Sequence, residues 1–122
     1  MYEHLLEDTE NIVLCGASSY EQKYYLNEEF SNLPESVQQE LKILCVTYTE
    51  EVGGVLTLEF EEDGTLILRS AADEADYLYD DVGSVLKIRQ IQQEKQELLE
   101  SLELYFRVFY LGEDAPDGEE DA

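Results

Sequence analysis

The residue types that carry most enzyme chemistry are scarce in this chain. Its 122 residues include one histidine, His4, and two cysteines, Cys15 and Cys45. Nucleophilic catalysis by serine or cysteine usually depends on a histidine base, and a structural zinc site needs about four Cys or His ligands in clustered spacing. We therefore predict no catalytic residue, no zinc site and no cofactor. Both cysteines are interpreted as small core residues.

Carboxylates are the remaining candidates for acid–base chemistry or for binding Ca²⁺ and Mg²⁺. The densest stretch is Asp73–Asp81, with five acids in nine residues. A calcium loop of the EF-hand type needs oxygen ligands at alternate positions, but the third and fifth positions from Asp73 are Ala75 and Tyr77. Among 30 acids any pair spacing occurs, so spacing favours no catalytic pair. We predict that the protein holds no metal ion and is not an enzyme.

Tyrosine is the other frequent residue type with functional potential, since the chain has nine tyrosines and no tryptophan. Tyrosines surround Lys23, and two more lie inside the acidic stretch. Tyrosine provides apolar contact area with a polar tip, and interleaved acids favour a basic protein partner. The alternative is that these tyrosines rim the core. The candidate partner-binding residues are Tyr20, Lys23, Tyr24, Tyr25, Asp73, Glu74, Asp76, Tyr77, Tyr79, Asp80 and Asp81.

The net charge excludes two classes of partner. Thirty acids against seven bases give a formal charge of −23, and the bases form no cluster. Direct binding of nucleic acid or of an anionic membrane needs clustered lysine and arginine, so neither is expected. A nucleic-acid mimic would need a higher charge density. A protein of this mass exposes roughly 6,700 Å², so the net charge amounts to about one charge per 290 Å². B-DNA carries about one charge per 110 Å².

Length and composition predict one domain. An apolar fraction of 43% is enough to fill a single core, so residues 1–112 are predicted to form a single α+β domain. Residues 113–122 carry six acids and no base, which predicts a disordered acidic tail. No apolar run reaches the roughly 18 residues of a membrane span, and the N-terminus lacks a basic signal-peptide start. Together with the low cysteine content, this favours a reducing cytoplasm.

The first half of the chain is predicted to contain a hairpin and a helix. Asn11–Cys15 is an apolar strand stopped by a turn over Gly16–Ser19, and Tyr20–Leu26 is the return strand. Asn32, Pro34 and Glu35 form a capping box and first turn. The helix that follows carries one apolar stripe and ends at glycines: Val37, Leu41, Leu44, Cys45, Tyr48, Val52, then Gly53 and Gly54.

The second half repeats this order. Leu56, Leu58 and Phe60 alternate with polar residues, and a three-residue loop over Glu62–Gly64 sets Phe60 opposite Leu66 and Leu58 opposite Leu68. A long C-terminal helix begins between Asp73 and Val82, with Tyr77–Tyr79 as its first turn or as a short extra strand. Its heptad seam either docks on the sheet or pairs with a second copy: Ile88, Ile91, Lys95, Leu98, Leu102, Tyr105 and Phe109.

These elements predict an α+β fold of ββαββα order. Two hairpins form an antiparallel sheet, and the two amphipathic helices, including the long C-terminal one, pack on one face of it. A homodimer through the 88–109 helix is the oligomer that this arrangement allows.

Three segments also carry a resemblance: Cys15–Tyr25, Thr49–Gly54 and Gln93–Glu103. They resemble a family of short acidic proteins from clostridia-like Gram-positive bacteria, a domain of unknown function, over roughly residues 10–112. The resemblance implies a bacterial cytoplasmic protein and no known activity. We therefore expect a non-enzymatic adaptor or regulator that binds a basic protein. The alternatives are an acidic homodimeric chaperone-like protein and a nucleic-acid mimic.

Overall fold

The computed structural model describes residues 10–113, and His4 and all of the predicted acidic tail except Glu113 lie outside this range. Over the described residues the fold is α+β, as predicted, with four strands and three α-helices. The strands are β1 (Ile12–Ser18), β2 (Lys23–Leu26), β3 (Val55–Phe60) and β4 (Leu66–Ala71). The helices are α1 (Glu35–Glu51), α2 (Asp81–Glu94) and α3 (Gln96–Phe109), and a short 3₁₀ helix covers Glu28–Phe30.

All strand pairs are antiparallel and the sheet order is β2-β1-β3-β4. The predicted turn over Gly16–Ser19 is wrong in its position, because β1 continues to Ser18. Pairing with β2 on one side and β3 on the other holds this stretch extended. The return strand is accordingly shorter than predicted. A register shift between Val13 and Cys15 marks a bulge, and Leu14 and Cys15 both join the core cluster.

The β3–β4 hairpin confirms the predicted register. Phe60 pairs with Leu66 and Leu58 with Leu68, and the Glu61 N–H donates to the Thr65 carbonyl at 2.8 Å. Gly64 closes the loop with φ of +93°, a conformation that glycine adopts at little cost. The three-residue loop therefore sets which side chains of β4 face the core.

Helix α1 confirms the predicted apolar stripe, since Leu41, Leu44, Cys45 and Tyr48 are all buried. The predicted capping box is wrong. Pro34 occupies the N-cap position with ψ of 144°, and no side chain caps the helix. Because the extended backbone of Pro34 places the N-cap two residues after the predicted Asn32, α1 begins only at Glu35.

The predicted long C-terminal helix is two helices, and the ββαββα order is corrected to ββαββαα. The chain breaks its helical dihedrals at Lys95, where φ is −112° and ψ is 25°. Lys87 and Lys95 pair with Glu51 and Glu40 of α1 at 2.6 and 3.6 Å, so α2 lies along α1. Helix α3 instead reaches β4, where a Glu103 carboxylate oxygen accepts the Leu66 N–H at 2.8 Å. The break lets one apolar seam serve two different neighbours.

The core joins alternate side chains of the sheet to the apolar sides of the helices. One exception to the alternation is Glu59, which is fully buried although its position in β3 suggests a solvent-facing side chain. Its carboxylate accepts hydrogen bonds from Thr57 at 2.7 Å, from Asn11 at 3.2 Å and from Arg69 at 3.2 Å. These partners offset the cost of burying the charge. Between residues 10 and 113 no helix is long and apolar enough to cross a bilayer.

Candidate functional site

The segment Asp73–Asp80, here called the acidic loop, connects β4 to α2 and contains no helix or strand of its own. Its aspartates hold the backbone. Asp73 Oδ1 accepts the Ala75 N–H at 2.9 Å, Asp76 Oδ1 accepts the Leu78 N–H at 3.2 Å, and Asp80 Oδ1 accepts the Gly83 N–H at 2.9 Å. The last bond caps α2, which begins at Asp81. The loop is thus a series of hydrogen-bonded turns.

Tyr20, in the β1–β2 turn, holds the acidic loop in place from the opposite edge of the sheet. Its hydroxyl donates to Asp76 Oδ2 at 2.7 Å and accepts the Asp73 N–H at 3.0 Å. Burial raises the pKa of Tyr20, and the hydrogen bond to Asp76 raises it further. The structure therefore brings Tyr20 together with the acidic segment, across more than 50 residues of sequence. The acidic loop crosses the end of the sheet to reach it.

Tyr79 fixes the inner side of the loop. Its hydroxyl lies 3.1 Å from the hydroxyl of the buried Tyr48 on α1, in a hydrogen bond. Burial raises the pKa of Tyr48, and the bond to Tyr79 adds to this rise. The Tyr79 ring also lies against Gly54, so closely that the Cβ of any other residue at that position would come within 2.6 Å of the ring. Tyr79 is an anchor and not a free contact residue.

With both sides fixed, the middle of the loop presents apolar side chains to solvent. Tyr77 is 91% exposed and Leu78 is 95% exposed. Sequence reasoning selected Tyr77 but missed Leu78 and the exposed apolar residues that follow on α2. The helical spacing of the α2 residues, on the side of the helix away from the buried Ser84 and Ile91, is the sequence pattern that indicates their exposure. Together they form the exposed strip: Tyr77, Leu78, Val82, Val85 and Leu86.

Acidic residues flank the loop part of this strip in the sequence, while the exposed Arg89 follows Val85 and Leu86 by about one helical turn on α2. Glu74, Asp76, Asp80 and Asp81 are near it in sequence, and no lysine or arginine occurs between Arg69 and Lys87. An aromatic and aliphatic patch with acids beside its loop part is chemically suited to contact a surface that combines apolar and basic residues.

The three other predicted residues, all on β2, do not join the acidic loop. Tyr24 packs against the core cluster, and its hydroxyl is buried without a hydrogen-bond partner in the described part of the chain. Burial raises the pKa of Tyr24, and the nearby Cys15 and Cys45 raise it further. Tyr25 is 47% exposed, and Lys23 lines a separate groove against α1. The predicted tyrosine–acid surface therefore reduces to Tyr20 and the acidic loop.

The two cysteines lie in the core, as predicted. Both are free and fully buried, with their sulfur atoms 3.8 Å apart. The hydrogen bond to Cys15 and burial raise the pKa of the Cys45 thiol, which disfavours the reactive thiolate. No group of three or more His, Cys, Asp or Glu residues within the described range is arranged to hold a metal ion.

Comparison with known proteins gives one match. A family model described as "Family of unknown function (DUF6145)" matches residues 11–114, which confirms the resemblance to a domain of unknown function. No curated protein and no solved structure matches the chain.

Proposed function

Because the chain belongs to DUF6145, a family of unknown function, we propose a role from its own surface. The protein is a non-enzymatic bacterial adaptor or regulator of the cytoplasm, and it binds a basic protein partner. The acidic loop and the exposed strip are the contact surface.

The exposure of Tyr77 and Leu78 carries this proposal. Two adjacent large apolar side chains, both more than nine-tenths exposed, gain free energy when a partner covers them. The loop that bears them is already ordered by Tyr20, Tyr79 and its own aspartates. Binding therefore costs less conformational entropy than it would for a flexible loop. Aromatic side chains at the centre of such a surface commonly dominate the binding free energy.

Charge supports a basic partner. Residues 1–112 contain 24 acids and 7 bases, so two copies of this chain repel each other while a basic partner is attracted. Such attraction raises the association rate and weakens as salt is added. The apolar strip also separates this surface from a nucleic-acid mimic, whose charged groups would have to run without interruption.

The homodimer alternative is supported less well. Of the predicted heptad seam, Ile91 and Leu102 are buried within the chain's own core. Ile88, Leu98 and Tyr105 are partly buried against it, and Phe109 is 71% exposed. A helix-mediated dimer would need most of these apolar side chains to be free. A chaperone-like homodimer predicts a dimer mass in light scattering at high salt, where repulsion is screened. Our proposal predicts a monomer at both low and high salt.

The test is capture of partners from native lysate with three forms of the chain. The double variant with Tyr77→Ala and Leu78→Ala should no longer capture a basic partner that the wild type retains. Its affinity for that partner should fall by about thirtyfold or more, the loss expected for hot-spot residues. The matched control is Ile43→Ala on α1, which removes an apolar side chain that is also exposed, at 62%, and should retain the partner.

Three results would count against the proposal: equal capture by all three forms, an acidic partner, or binding that does not respond to salt. The same capture without residues 113–122 should return the same partner, because the acidic loop and not the tail makes the contact.

A further inference from the structure

A groove of about 630 Å³ lies between the β1–β2 hairpin and α1, and none of its lining residues belongs to the acidic loop. Its volume is within the range of sites that bind small molecules. Polar groups from both elements line it, among them two lysines, one from each side. The lining residues are Ala17, Ser18, Ser19, Gln22, Lys23, Tyr24, Lys42, Val46, Thr49 and Glu50.

The two lysines have no acidic partner among residues 10–113. Four of the seven bases form ion pairs within residues 10–113, namely Arg69, Lys87, Lys95 and Arg107. Lys23 and Lys42 form none with any described residue, although acids outnumber bases fourfold. Two exposed lysines thus border one cleft, and no residue between 10 and 113 neutralises their charge by a direct contact.

The remaining lining residues define what such a cleft would accept. Glu50 is the one acid among them, so the lining carries a net charge of about +1, which suits a single negative charge better than two. The Ser19 hydroxyl and the Gln22 amide offer hydrogen bonds. The Tyr24 ring and Val46 offer apolar contact. Dissolved salt screens the electric field of the acids elsewhere on the body. At physiological ionic strength this field falls off over about 8 Å.

We propose that this groove binds a small organic carboxylate, with Lys23 and Lys42 contacting the carboxylate and Tyr24 and Val46 contacting an apolar body. This site shares no lining residue with the acidic loop, although Ser19 is next in sequence to Tyr20, which bonds to that loop. It would give the protein a small-molecule ligand in addition to a protein partner.

The experiment is an amide-shift NMR titration of the full chain at about 150 mM chloride, where the overall field is screened. The probes are benzoate and N-acetylphenylalanine, and each is paired with its neutral amide, benzamide or N-acetylphenylalaninamide. We expect at least one carboxylate to shift the amides of Ser19, Gln22 and Thr49, while its neutral amide shifts them much less. The absence of any such shift at millimolar probe, or equal shifts with acid and amide, overturns the proposal.

Charge-removing variants separate the groove from the overall field of the protein. Lys23→Gln and Lys42→Gln should each weaken carboxylate binding by about threefold to fivefold, the range of an exposed ion pair. Arg89→Gln is the matched control, because Arg89 is exposed on α2, forms no ion pair with a described residue and lies outside the groove. If Arg89→Gln weakens binding as much as Lys42→Gln, the effect is one of net charge and the site is refuted. Substitution of an exposed lysine seldom disturbs folding, and the NMR spectrum itself reports whether each variant is folded.

Discussion

The two ends of the sheet use aromatic residues in opposite ways. At the end where β3 finishes, here called the aromatic end, rings stack on one another. Phe60 lies 4.3 Å from Phe106 and 5.6 Å from Phe30 between ring centroids, and Tyr110 stacks on Phe106 at 4.8 Å and on Phe30 at 5.2 Å. Three of these four side chains are at most 2% exposed.

At the opposite end, here called the acidic end, tyrosines act through their hydroxyl groups. Tyr20 bonds to Asp76, and Tyr79 bonds to Tyr48, while Tyr77 is left exposed. Stacked buried rings stabilise a fold by contact area and geometry, whereas hydroxyl bonds position a segment at a small net gain in stability. The aromatic end therefore maintains the fold, and the acidic end presents a surface.

The largest expected effect is a loss of stability at the aromatic end. Phe106→Ala removes a buried ring that stacks on two others and should lower the free energy of unfolding by about 3–5 kcal/mol. Tyr77→Ala, at the acidic end, should change it by no more than about 0.5 kcal/mol. Urea unfolding followed by circular dichroism measures both. If the two variants cost the same, the division of roles between the ends is wrong.

The next effect tests how firmly the acidic loop is anchored. Gly54 has φ of +69°, and a Cβ there would lie 2.6 Å from both the Ala71 carbonyl oxygen and the Tyr79 ring. Gly54→Ala should therefore cost about 2–4 kcal/mol, from left-handed backbone strain and from displacement of Tyr79. Amide hydrogen exchange should increase in the acidic loop of this variant.

Gly53 provides the matched control, because its φ is +90° and nothing lies within 4 Å of the added atom. Gly53→Ala should cost about 1–2 kcal/mol from backbone strain alone. The difference between the two variants measures the close packing of the Ala71 carbonyl oxygen and the Tyr79 ring around Gly54, and unchanged hydrogen exchange in the acidic loop of Gly54→Ala would show that Tyr79 does not anchor the loop.

The parts of the fold that could be predicted from sequence are those with a local pattern. The β3–β4 register follows from alternation on both strands and from one glycine at the loop, because a slip of one residue would bury Arg69. The stripe on α1 follows from helical spacing. By contrast, the heptad seam continues through Lys95 without a local break in pattern. The kink arises because α2 and α3 pack on different neighbours, which only the tertiary structure specifies.

The candidate site was predictable in its parts but not in its assembly. Tyr20 and the acidic segment were each recognisable by residue type, yet the bond between Tyr20 and Asp76 joins residues 56 positions apart. Tyr24 has the same residue type as Tyr20, but the pleat of β2 directs it to the core. Exposure also could not be inferred for Leu78, because an apolar residue beside a helix start is more commonly part of the core.

The smallest effect is a dependence on pH at the aromatic end. The Tyr110 hydroxyl donates to a Glu29 carboxylate oxygen at 2.7 Å, and burial together with this bond raises the pKa of Tyr110 from 10.0 to about 12. Between these values the unfolded chain loses the Tyr110 proton before the folded chain does, so the free energy of unfolding should fall as pH rises from 10 to 12. Tyr110→Phe keeps the ring stack and removes the titrating group, and should make the fall shallower. Because Tyr110 is partly exposed, the difference is a modest one, measured as the slope of urea stability against pH. If the slope is unchanged in Tyr110→Phe, Tyr110 stabilises the fold through its ring and not through its hydroxyl. The aromatic end would then act as a purely apolar cluster.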